Sequence, residues 1–252
     1  MNLRRKYLDD VKAQPMLQKA LAISLYIKCR AGSSSCINDY SINKIHKLTN
    51  ISPATLKKYM PIMIEQGYVK IVSGKKNTKR LIVCKLSSKH KERNISISKI
   101  KFNSFKEVFN SIRAYIFCKL QAKKNYLKRL LQLATNPKRG QNFKGARRKV
   151  RKFVSRGILK GCEVYKEYGI SLKRIANELG TCVKTAQKVV NYTCEKKWIK
   201  KHNHKFYIHA PFICKQDVEG YTYSTMNYLY SVCANSYTLS KSMEKDFGMV
   251  SI

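Results

Sequence analysis

The sequence predicts a mainly α-helical chain with small β-hairpins (an α+β arrangement) in which one helix–turn–helix–hairpin unit occurs twice, joined by a long helix. Three observations support this. Apolar residues recur at helical spacing through most of the chain, interrupted by cap and turn residues. The segment Ser41–Val83 returns from Ser171 onward in one gapless register, offset by the 130 residues that separate those two serines. A third apolar stripe, Phe105 to Ala134, runs for roughly eight turns without a breaker.

From Pro15 the run Met16–Arg30 reads as a helix, with Leu17, Leu21, Leu25 and then Ile27 or Cys29 on its apolar side, and Gly32-Ser33-Ser34-Ser35 ends it. Ser41 is a helix N-cap, because its hydroxyl can accept from a free backbone N–H of the first turn. Ile42 and Ile45 follow on one face, and Asn50 suits a left-handed helix end. Ser52-Pro53 starts the next helix, since a proline there gives up an N–H that would be unpaired anyway. Pro61 lies inside this helix and removes one backbone hydrogen bond, at about 3 kcal/mol, so a bent or shortened helix is expected. Tyr68-Val69-Lys70 begins a hairpin whose basic tip spans Ser73 to Arg80.

A polar loop, Lys89–Arg93, leads to Ser104-Phe105-Lys106-Glu107, a capping box with its Ser and Glu three apart. Phe105, Phe109, Ile112, Ile116, Leu120, Leu127, Leu130, Leu131 and Ala134 then sustain helical spacing up to the Asn136-Pro137 stop. This stripe is not a clean heptad, so it reads as a bridge between the two units, with a homodimer seam left open. Phe153–Tyr168 is expected to open the second unit, although Gly157 and Gly161 weaken that helix. In the second copy Ser171 caps a helix with Leu172, Ile175, Ala176 and Leu179 inward, and Gly180 ends it. Ala186, Val189, Val190 and Thr193 face inward on the helix that follows. Trp198-Ile199-Lys200 and Phe206-Tyr207-Ile208 read as short strands around a His202-Asn203-His204 turn. The division expected is therefore residues 1–88, a loop and connecting helix at 89–137, a basic linker at 138–152, the second unit at 153–213, and a tyrosine-rich tail at 214–252, as a docked small helix or a partner segment.

Fifty-two basic against 14 acidic residues give a net charge of +38. Such self-repulsion is relieved by a polyanion: DNA, RNA or an anionic membrane. The apolar faces look committed to cores and no stretch approaches the ~20 apolar residues of a spanning helix, so nucleic acid is favoured over membrane. Nine cysteines without a CxxC pair, and no apolar leader after Met1, point to reduced thiols in a cytoplasmic compartment, beside the nucleoid in a bacterial or phage setting.

Helix, turn, helix and basic hairpin, in that order, resemble the winged helix-turn-helix superfamily. Two copies joined by a long helix are similar in general plan to tandem winged-helix replication initiators of plasmids and phages, and equally to mobile-element regulators. The resemblance covers Ser41–Val83 and Ser171–Ile208, and its motifs are those of the superfamily. It implies binding to double-stranded DNA, with the second helix of each unit in the major groove. On that basis Thr55, Lys57 and Lys58 of the first copy and Lys184, Thr185, Gln187, Lys188 and Asn191 of the second would meet bases and nearby phosphates. Lys75, Lys76, Lys79 and Arg80 on the first hairpin, Lys200 and Lys201 on the second, and Arg147, Arg148 and Lys149 in the basic linker would hold the backbone. The process expected is transcription regulation or replication-origin binding. A packaging or RNA-associated protein that uses the two units as scaffold is the alternative.

No enzyme, cofactor or metal is expected. Cys182, Cys194, His202, His204, His209 and Cys214 lack the usual zinc spacing. His202-Asn203-His204 with Tyr221 and Tyr223 resembles a rolling-circle nuclease motif. The resemblance is faint: Asn203 stands where that motif has an apolar residue, Thr225 and Asn227 stand four positions after the tyrosines, and the histidines are expected in a turn. There is no phosphate-binding loop, nucleophile elbow or HExxH.

Overall fold

The computed structural model describes residues 2–32, 35–73, 78–84, 86, 94–96, 103–135, 170–209 and 229–247. The chain is mainly helical with small antiparallel strands. A short strand β1 (Asn2–Arg4) leads into α1 (Arg5–Val11) and α2 (Pro15–Ala31). Every residue of α2 from Ala20 to Ile27 is buried. The apolar run thus makes a central helix rather than a one-sided one, as a helix apolar all round must be.

β2 (Cys36–Ile37), α3 (Ile42–Thr49), α4 (Pro53–Glu65), β3 (Val69–Ser73) and β4 (Lys79–Val83) are arranged around α2. The strands form one antiparallel sheet in the order β2-β4-β3. The expected caps are present. Ser41 Oγ accepts from the Lys44 N–H at 3.1 Å, Ser52 Oγ accepts from the Thr55 N–H at 3.3 Å, and Asn50 closes α3 in the left-handed region at φ 55°. α4 runs unbroken through Pro61, whose ring sits on the exposed face, where solvent can satisfy the carbonyl it leaves unpaired.

The second copy consists of α6 (Leu172–Leu179), α7 (Val183–Glu195) and β6 (Ile199–His209), each starting 130 residues after its counterpart. The match extends to single atoms. Ser171 Oγ accepts from the Arg174 N–H, Gly180 takes the left-handed position of Asn50 at φ 63°, and the Trp198 N–H donates to Thr193 as Tyr68 does to Met63. Buried pairs correspond too: Ile45 with Ile175, Leu56 with Ala186, Met60 with Val190, Met63 with Thr193, Val69 with Ile199. Lys197 occupies the left-handed turn at φ 56° that Gly67 fills in the first copy.

Two expectations change. The long helix α5 (Phe105–Thr135) is more than a bridge: it packs against α2, α6 and α7, and its apolar stripe from Phe105 to Leu130 is buried or half-buried within the chain. Phe153–Tyr168, expected to open the second unit, lies outside the described residues. His202-Asn203-His204 is not a turn. β6 continues through it and pairs along its whole length with β7 (Leu229–Leu239). A tight hairpin turn needs residues with positive φ, usually a glycine, which His-Asn-His lacks. Within the tyrosine-rich segment, residues 229–247 supply β7 and the helix α8 (Lys241–Phe247), the docked small helix that is one expectation for it, with Phe247 against Tyr115 of α5. β1 pairs antiparallel with β5 (Asn94–Ser96), which lies beyond residue 88. No helix among the described residues is long and apolar enough to cross a membrane.

One buried amide joins the copies. Gln18 of α2 is fully buried. Its Nε2 donates to the Leu179 carbonyl at the end of α6 (2.9 Å) and to the Val11 carbonyl (3.2 Å), and its Oε1 accepts from Arg113 Nε of α5 (3.1 Å). Beside it the Ala13 N–H donates to the Glu178 carbonyl at 2.8 Å. Gly180 makes this approach possible, because a Cβ there would lie 2.3 Å from the Ala13 carbonyl oxygen. Gly180→Ala is expected to cost more than the ~1–2 kcal/mol of left-handed strain alone, since it also pushes the α1–α2 turn off α6. Asn50→Ala should cost only that strain. Urea unfolding midpoints check this, and equal shifts for the two variants would contradict it.

Candidate nucleic-acid interface

α4 and α7 present matched outward faces. In α7, Lys184, Lys188 and Asn191 are exposed and Thr185 and Gln187 half-buried. In α4, Ala54, Lys57, Lys58 and Pro61 are exposed and Thr55 half-buried. Neither helix carries an acid before its last residue, Glu65 or Glu195, so both faces are uniformly positive or neutral. The threonines sit beside the caps: Ser52 Oγ donates to Thr55 Oγ1 at 2.9 Å, and Cys182 Sγ lies 3.3 Å from Thr185 Oγ1. That contact with the Thr185 hydroxyl holds the exposed Cys182 thiol below its ordinary range. On α7 the Gln187 Nε2 donates to Asn191 Oδ1 at 2.7 Å, so one turn of helix links the two amides.

Hairpins flank both faces. Lys79 and Arg80 are exposed on β4, opposite Ser73 and Val72 of β3, and Lys200 and Lys201 are exposed at the start of β6. Lys75, Lys76, Arg147, Arg148 and Lys149 lie outside the described residues. Sequence reasoning passed over Val183, 47% exposed at the first position of α7. The signal was an apolar residue beside the helix start, off the buried stripe. A β-branched methyl surface there suits the thymine methyl group.

The second copy is braced by α5. Tyr115 stacks on Trp198 with ring centroids 4.9 Å apart, fixing the entry to β6. Tyr192 of α7 meets Ser111 through their hydroxyls at 2.9 Å, and Lys196 Nζ reaches Glu107 Oε1 at 2.6 Å. Among the described residues no three His, Cys, Asp or Glu side chains come together to hold a metal. His202 stands on a strand, with Nε2 3.1 Å from Thr238 Oγ1. The turn placement therefore no longer counts against the nuclease resemblance. Asn203, Thr225 and Asn227 still depart from that motif, and Tyr221 and Tyr223 lie outside the described residues. The chain matches no protein-family model, no curated protein and no solved structure.

The hydrogen bond from Lys196, helped by the Asn103 N–H, holds the Glu107 carboxyl below the usual range, outweighing the burial that pushes it up. The same bond holds the Lys196 ammonium above its own range. A depressed carboxylate stabilises the fold above its unfolded value of about 4.3 and loses that contribution as pH falls through its native value. The raised lysine keeps its contribution below about 10.4 and loses it as pH rises through its native value. With both groups partly solvated the pair contributes about 1 kcal/mol or less. Glu107→Gln should therefore destabilise the chain near neutral pH and converge on the parent as pH falls through the carboxyl's depressed native value. A gap of the same size at pH 3 and pH 7 would contradict the assignment.

Proposed function

We propose that this chain is a sequence-specific double-stranded DNA-binding protein made of two winged helix-turn-helix units, acting as a transcription regulator or replication-origin binder of a mobile element or phage. The observation behind the reading is the repeat itself: two helices in one residue register, each presenting a lysine-bearing, acid-free outward face between a capped turn and a basic hairpin, on a chain of net charge +38. A single basic helix face is ordinary solvated surface. Two at matching positions, on a chain this short of acids, favour a polyanion with a regular groove.

In this reading α4 and α7 enter successive major-groove segments, Thr55, Lys58, Thr185 and Lys188 meet phosphates or base edges, and Lys79, Arg80, Lys200 and Lys201 grip the backbone. The second hairpin, 11 residues per strand against five in the first, extends about 36 Å. It can therefore follow the backbone beyond the segment read by α7. The reading assigns no catalytic step and no cofactor.

Titration of the intact chain with a mixed duplex should give log K falling linearly with log salt, with a slope near −0.9 for each phosphate neutralised. Lys79→Ala with Arg80→Ala should weaken all duplexes alike and reduce that slope by about two. Structured RNA, whose narrow major groove excludes a helix, should compete poorly. Equal competition by RNA would favour the RNA-associated alternative, and a salt-independent association would overturn nucleic-acid binding.

A further inference from the structure

The two outward faces share a backbone register but differ in chemistry at three of their five stations. Thr55 corresponds to Thr185 and Lys58 to Lys188, conserving a hydroxyl and an ammonium, and Lys184 adds a cation where the first copy has Ala54. At the remaining two stations Lys57 faces Gln187, and Pro61 faces Asn191.

In α7 these stations form one unit. Gln187 and Asn191 are four residues apart on one face, and the Gln187 Nε2 to Asn191 Oδ1 bond of 2.7 Å occupies one N–H of the first amide and one lone pair of the second. The Gln187 Oε1 remains as acceptor and the Asn191 Nδ2 as donor. Adenine in the major groove offers the complement, an N6 donor beside an N7 acceptor, and no other base presents that pair. The mutual bond also fixes both side chains before DNA arrives, so less rotamer freedom is lost on binding.

In α4 the same stations cannot do this. Lys57 offers donors only, matching guanine O6 and N7 or a phosphate, and Pro61 has no polar side-chain atom. We infer that the target is an asymmetric two-part duplex site, with an adenine read by the coupled Gln187–Asn191 amides of α7 and a half under α4 that has no adenine requirement. This rests on the duplex-binding reading above.

The test is selection from a random duplex library by the intact chain, followed by titration of the selected duplex and its A·T→G·C variant. The parent should recover non-palindromic sites with one fixed adenine. Gln187→Ala and Asn191→Ala should each lower the preference for that adenine roughly 5- to 150-fold. The double variant should lose little more than either single one, because the amides act as a unit. Both positions lie on the outward side of α7, Asn191 exposed and Gln187 half-buried, so unfolding midpoints should stay close to the parent's. Lys57→Gln with Pro61→Asn builds the amide pair into α4 and should make a second adenine appear in the selected sites. A palindromic or adenine-free consensus would overturn the inference, as would an adenine preference untouched by either alanine. Tight, salt-sensitive but unselective duplex binding would overturn it and leave duplex binding standing. Absence of duplex binding would overturn both.

Discussion

The buried side-chain amide of Gln18 is the contact on which the arrangement of this chain depends. The last carbonyls of a helix have no partner within it, and when a helix ends inside a protein each one left unpaired costs about 1–3 kcal/mol. α6 ends against the turn between α1 and α2. Gln18 Nε2 and the Ala13 N–H supply the missing donors to Leu179 and Glu178. Because Gln18 also accepts from Arg113, a single residue of the first copy's central helix touches both α5 and α6. Gly180, with no Cβ to collide with Ala13, permits the approach. The two copies thereby share one core, with α2 packed on α5. α4 and α7 are set by the same body that Gln18 ties together.

Within that frame the copies have diverged where the backbone leaves them free. Most of the paired buried stations keep their apolar character while changing volume, as in Leu56 for Ala186, although Thr193 stands for Met63. Tyr115 of α5 stacks on Trp198 of the second copy, while Ser111 of α5 meets Tyr192 of α7. The turn after α4 has Gly67 in the left-handed region, whereas the turn after α7 holds Lys197 there at about 1–2 kcal/mol of strain. Surface stations diverge most: Pro61 is tolerated because its ring faces outward, and its counterpart Asn191 is half of a coupled amide pair. The two helix faces are thus held in one register by similar packing and differ in surface chemistry.

The sequence made local features legible. Ser41, Ser52 and Ser171 cap the helices their spacing predicts, Asn50 and Gly180 end them, and the 130-residue register holds from cap to first strand. What escaped was non-local. The partner of β6 begins only at Leu229, across a separation that no local pattern reports, so His202-Asn203-His204 read as a turn. The stripe of α5 marked a buried face without saying that both copies cover it. Nor does the letter at Gln18 tell a hydrogen-bonded buried amide from a solvated one. The Gln187–Asn191 bond was implicit in their spacing, yet its direction, and so the groups left over to meet a base, required side-chain positions.

Amide hydrogen exchange on the intact chain, with and without a mixed-sequence duplex at low salt, tests most directly whether both copies meet DNA as one body. The first turns of α4 and α7 have backbone N–H groups without intrahelical partners, so they report contact sensitively. The account predicts slowed exchange in both first turns together, with the Ala13 amide at the junction already slow in the free protein. Protection confined to one copy, or to surfaces away from α4 and α7, would contradict it.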